Sequence, residues 1–175
     1  MLKIIGVIVA MAVAAVLLFA ANQPDTFRFE RGASIQAPPE KIFPLINNLR
    51  EFNTWNPYAK KDPNLKARYI GPTAGRGATF AFDGNRDVGK GSIEILNSAP
   101  PSKVTMRLAM VEPFEVLNTV EFTLVPRGGA TSVTWAMEGP APFISRVMCL
   151  FGDMDRMVGK DFESGLASLK AIAER

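Results

Sequence analysis

Asn118 is the side chain with the most conspicuous chemical potential in this chain. By strand parity it shares one face with Phe114, Val116, Val120, Phe122 and Leu124. An amide left unpaired on such an apolar face costs roughly 1–3 kcal/mol. Methionines gather around the same region, with Met106, Met110, Met137, Met154 and Met157 placed to face one space. Thioether side chains suit irregular, adaptable apolar surfaces. Two readings fit these residues: a ligand cavity with one polar orienting group, or a filled core in which Asn118 bonds a neighbour. Trp55, Asn56 and Tyr58 lie where short helices meet the strands. They form either the wet rim of a pocket, which aromatics with polar tips suit, or a plug that closes the end of the sheet.

Other chemistry is harder to build from this sequence. The chain has 175 residues and no histidine, which excludes a Ser-His-Asp or Cys-His triad and any His-containing metal site. Glu94, Glu121 and Glu138 point outward by parity, so no catalytic carboxylate pair is assigned. Asp153 and Asp155 open a helix, where acidic groups complement the dipole. Gly89-Lys90-Gly91-Ser92 lacks the Walker spacing and a following helix, so it reads as a hairpin or bulge. The single cysteine, Cys149, sits in an apolar run and reads as a buried, inert thiol. No metal cluster and no cofactor are expected. The net charge of +3 is spread along the chain, without the concentrated basic face that nucleic acid requires.

The elements that must position these residues follow from periodicity. Phe27 to Ile35 alternates as a half-buried strand. Ala37-Pro38-Pro39-Glu40 stops it and opens a helix, since proline at a helix start removes only an N–H that is unpaired anyway. Glu51 to Trp55 reads as a second short helix ended by Asn56-Pro57. Six alternating runs follow: Ala67–Ile70, Ala78–Phe82, Gly91–Leu96, Val104–Met110, Phe114–Val125 and Thr131–Met137. Connections this short force antiparallel pairing. Pro140 to Phe151 is apolar and reads as a lid, a bilayer-contacting surface or ordinary packing. From Asp153 to Glu174, apolar residues recur at helical spacing over about 22 residues, roughly 33 Å. A helix of that length needs a broad apolar surface to lie on, and the strands are the available one.

Ile4 to Ala21 is a run of eighteen apolar residues after Lys3. It is short for a membrane span, long for a signal peptide, and without small residues at the −3 position of a cleavage site. Residues 1–25 are therefore expected to be an uncleaved single-pass membrane anchor, and 26–175 one folded domain. Lys3 argues for a domain outside the cytoplasm, while Arg28 and Arg31 compete with it.

Ala37-Pro38-Pro39-Glu40-Lys41-Ile42-Phe43 after a first strand resembles a signature of the polyketide cyclase/dehydrase and lipid-transport family, within the START-like or SRPBCC superfamily. So do Trp55-Asn56-Pro57, Gly84-Asn85, the run Asn118 to Phe122 followed by Pro126, Thr131 to Trp135, and the tail Asp153 to Leu166. The resemblance covers about Phe27 to Glu174 and is closest to a bacterial single-domain subgroup. It implies an α+β helix-grip fold, in which a seven-stranded antiparallel sheet wraps a long C-terminal helix around an apolar cavity. It also implies a hydrophobic small-molecule partner such as a lipid or isoprenoid-like compound. Strand parity and helix face, taken with this resemblance, assign the ligand-facing set: Trp55, Tyr58, Phe80, Phe82, Met106, Leu108, Met110, Phe114, Asn118, Trp135, Met137, Met154, Met157 and Val158. A polyketide cyclase or dehydratase is the second hypothesis, and would need an inward acid or base. A protein-interaction or chaperone-like module with a filled core is the third.

Overall fold

The computed structural model describes residues 2–143, 146–147 and 154–175, without the side chains of 2, 3, 9, 10, 12 and 13. The expectations for Cys149, for Asp153 and for half of the 140–151 stretch (144–145 and 148–151) lie outside the described residues.

The N-terminal run forms helix α1 (Leu2–Ala21). After it come strand β1 (Thr26–Ile35) and three short helices, α2 (Pro39–Asn47), α3 (Leu49–Trp55) and α4 (Pro57–Lys60). Pro38 and Pro39 open α2, and the side chains of Asn48 and Asn56 cap the next two by accepting from the N–H of Arg50 and of Tyr58. An asparagine cap is why the chain restarts a helix twice within a dozen residues rather than continuing one. The sequence anticipates two short helices here, and the Asn56 cap with Pro57 behind it adds the third.

Six strands follow: β2 (Lys66–Ile70), β3 (Thr79–Asp83), β4 (Lys90–Ala99), β5 (Lys103–Glu112), β6 (Val116–Arg127) and β7 (Ala130–Pro140). They form one seven-stranded antiparallel sheet in the order β1-β7-β6-β5-β4-β3-β2. From β2 to β7 consecutive strands are neighbours joined by loops of two to eight residues, while β1, followed by the three helices, pairs with the last strand, β7. Register shifts between Lys90 and Gly91 and between Ile95 and Asn97 on β4 bend the sheet where it curves.

Helix α5 (Met154–Ala173) closes the fold. It buries Gly159, Phe162, Gly165, Leu166, Leu169 and Ala173, one stripe at helical spacing, against β1 and the short helices. The Phe162 ring stacks on Trp135 with centroids 4.1 Å apart and planes 7° from parallel. Gly165 permits that approach, since a Cβ there would lie 2.7 Å from Trp135 Cζ3. On the outer face, Arg31 reaches from β1 to bond Asp155 at 2.9 Å and Glu163 at 3.0 Å. Lys170 donates to the Ser34 carbonyl at 2.7 Å, and the Gln36 N–H donates to Glu174 at 2.6 Å. These contacts fix the helix parallel to β1, with its start at the β1 N-terminal end.

The expected membrane-spanning helix is not a finding of the structure. Among the described residues, no helix is long and apolar enough to cross a membrane.

Candidate functional site

An apolar cavity of about 430 Å³ lies between the concave face of the sheet and α5. Phe80 and Phe82 of β3, Ile93 of β4, Met106, Leu108 and Met110 of β5, and Asn118 and Val120 of β6 form its sheet wall. Trp135 and Met137 of β7 continue that wall, and Met154, Val158 and Phe162 of α5 face it. Strand alternation explains the wall: β3, β5, β6 and β7 each contribute every second residue, while the residues between them face out. Glu94, Glu121 and Glu138 are on that outer face, ion-paired with Arg107, Lys103 and Arg28.

Of the fourteen residues expected to face a ligand, three do not line the cavity. Trp55 is fully buried in an aromatic cluster with Phe52, Phe122 and Trp135, its ring centroid 4.8, 5.8 and 5.7 Å from theirs. Its indole Nε1 donates to the Leu45 carbonyl at 2.9 Å, so it plugs the closed end of the sheet rather than rimming a mouth. Phe114 is 71% exposed, because β6 begins only at Val116 and parity carries no meaning in the turn before it. Met157 is 62% exposed beside Lys61, Lys160 and Asp161. Met154, Val158 and Phe162 are spaced by four and hold the inner stripe of α5, leaving Met157 turned toward solvent.

Sequence reasoning missed the mouth. Arg86, Asp87, Val88 and Gly89, from the turn between β3 and β4, line the cavity together with Ala59, Leu65 and Pro113. The turn is held by Asn85, whose side chain accepts from the N–H of Asp87 and Val88 and donates to the Lys61 carbonyl. Buried Asp62 accepts from the Asn85 N–H at 2.7 Å and the Asn64 N–H at 2.9 Å. The Asp-Gly-Asn signal marks a turn, but only the tertiary fold brings that turn over the pocket.

The polar groups on the wall differ in how they are satisfied. Asn56 accepts from the Tyr58 N–H and donates to Asn53. The Tyr58 phenol lies near the Asp161 carboxylate, which pairs with Lys61 at 2.7 Å. Burial first, then the Asp161 charge, push the Tyr58 phenol well above its ordinary value, so it stays protonated at any physiological pH. Asn118 Oδ1 and Trp135 Nε1, by contrast, are buried without a hydrogen-bond partner. Asn118 leans over Gly139 of β7, where a Cβ would collide with its amide. The site thus offers apolar walls, a neutral buried phenol and two polar side chains with unmet hydrogen-bonding capacity. Among the described residues no group of acidic or thiol side chains is placed to hold a metal ion.

The sequence model of a family described as polyketide cyclase / dehydrase and lipid transport matches residues 26–174. No curated protein matches the chain in sequence. Among solved structures, ginseng major latex-like protein 151 from Panax ginseng superposes with a TM-score of 0.61 at 12% identity, over 87% of this chain and 100% of that one. The Aha1 dimer from Colwellia psychrerythraea gives 0.60 at 18% identity, over 85% and 96%. Protein CV1439 from Chromobacterium violaceum gives 0.58 at 17% identity, over 87% and 99%. At these identities the three superpositions establish the fold.

Proposed function

The chain belongs to the polyketide cyclase/dehydrase and lipid-transport family, and we propose that it is a binding or transfer protein for a hydrophobic small molecule. The observation that carries this reading is the cavity of about 430 Å³ with Asn118 Oδ1 and Trp135 Nε1 buried and unpaired in its wall. A volume of that order suits a drug-sized or lipid-like ligand. Burial of apolar ligand surface drives binding at about 25 cal/mol per Å². Asn118 and Trp135 orient the molecule by bonding its polar end. The mechanism is sequestration and release, with no bond made or broken.

The test is retention of a lipophilic ligand by two variants. Asn118→Leu and Trp135→Phe both lower retention far more than they lower melting temperature. Equal retention in wild type and both variants would remove the pocket from the account.

Tethering to a membrane is part of the same proposal. Its support is the apolar run from Ile4 to Ala21 and the solvent exposure of Ile4, Ile5, Val7, Ile8, Met11, Leu17, Leu18 and Phe19 on α1. The domain then sits on the extracytoplasmic side, as the Lys3 charge favours.

A further inference from the structure

We infer that the tip of the β5–β6 hairpin, Val111 and Phe114, is a bilayer-contacting rim that seats the cavity mouth on the membrane surface. This rests on the tethering reading above.

Strand pairing places the relevant termini at one end of the sheet. Thr26 opposes Pro140, Val116 opposes Met110, and Lys90 opposes both Glu112 and Asp83. The β1 start, the β5–β6 turn and the β3–β4 turn therefore share an edge, and α5 begins there too, since Arg31 holds Asp155. The cavity reaches this edge, lined by Arg86 of one turn, Pro113 of the other and Met154 of α5.

Helix α1 leaves the domain at the same edge. Only residues 22–25 separate Ala21 from Thr26, a span of at most about 18 Å. That span is pinned rather than free. The Asp25 carbonyl accepts from the Ala141 N–H at 2.6 Å, and the Gln23 carbonyl accepts from Arg146 at 3.0 Å. With α1 in the bilayer, the mouth stands within a short reach of its surface and cannot swing away.

The side chains at that edge suit such a surface. Val111 is 51% exposed and Phe114 is 71% exposed, on either side of a turn whose Pro113 touches the cavity. Phe143, which follows β7 at this end, is 42% exposed. Glu112 and Glu115 flank the tip and are exposed, so attraction to anionic lipid is not the driving force. Apolar insertion is, and neutral phosphatidylcholine is the appropriate probe. A ligand would then pass between bilayer and cavity without crossing water.

The experiment uses the full chain in phosphatidylcholine vesicles carrying brominated acyl chains, which quench tryptophan by proximity. Phe114→Trp reports the rim and Met11→Trp, near the middle of α1, reports the tether, each read against the wild-type signal of Trp55 and Trp135. The expected result is quenching of Phe114→Trp by shallow bromines and of Met11→Trp by deep ones. Quenching at position 11 with none at 114 would overturn the rim while leaving the tether intact. Absence of quenching at both would remove the tether and the rim together. In a second measurement, Val111→Ser combined with Phe114→Ser slows uptake of a dansyl-labelled fatty acid from these vesicles by at least roughly tenfold, since it takes two apolar side chains out of an interface. Uptake at the wild-type rate would also overturn the rim.

Discussion

Asn118 and Gly139 act as one unit across β6 and β7. The amide occupies the space that a Cβ on Gly139 would take, so Gly139→Ala displaces Asn118 from the wall without touching its chemistry. The variant is expected to lose ligand retention to the same degree as Asn118→Leu, and combining the two changes adds little further loss. Additive losses, measured in the same retention assay, would show that the two residues act separately. Trp135→Phe probes the second polar group. It preserves the stack on Phe162 and removes the unpaired Nε1. Leaving a buried donor unpaired costs roughly 1–3 kcal/mol, which offsets the loss of the larger ring. Its melting temperature is therefore expected to stay near wild type while retention falls.

Helix α5 is held to β1 by Arg31, which crosses the helix backbone at Gly159. A Cβ on Gly159 would occupy the guanidinium position, so glycine is retained there against its helix propensity. Gly159→Ala gains about 1 kcal/mol of propensity but displaces the Arg31 guanidinium from its pairs with Asp155 and Glu163. Near-neutral stability is expected in wild type and a clear gain in an Arg31→Ala background. The same gain in both backgrounds, from denaturant melts, would separate Gly159 from the clamp. The pair also sets an acid limit. Arg31 holds the Asp155 carboxyl below its ordinary value, and the Gln36 N–H with Lys170 does the same for Glu174. Depressed carboxylates contribute stability above their unfolded values, 3.8 and 4.5, and lose it as pH falls through the folded ones. Arg31→Ala should flatten the stability profile below about pH 4.

The inner wall was legible at this scale because β parity and helix spacing are local rules. Phe80, Met106, Asn118 and Trp135 follow from alternation alone. Phe114 and Met157 show where those rules stop, at the end of a ladder and at the border of a helix stripe. Trp55 and the 86–89 turn depend on which surfaces meet in three dimensions, which no local pattern records.

For the whole molecule, the antiparallel sheet and closing helix followed from turn chemistry and from the long apolar stripe that needed a surface. The cavity did not follow, since a filled core and a hollow one share the same apolar pattern. Its presence now makes occupancy the central claim. Native mass spectrometry on the gently purified protein tests it most directly. The account predicts a discrete co-purifying mass that disappears on organic extraction and returns on incubation with a lipid extract. A clean ligand-free mass, unchanged after exposure to that extract, would contradict it and return the methionine-lined space to ordinary core.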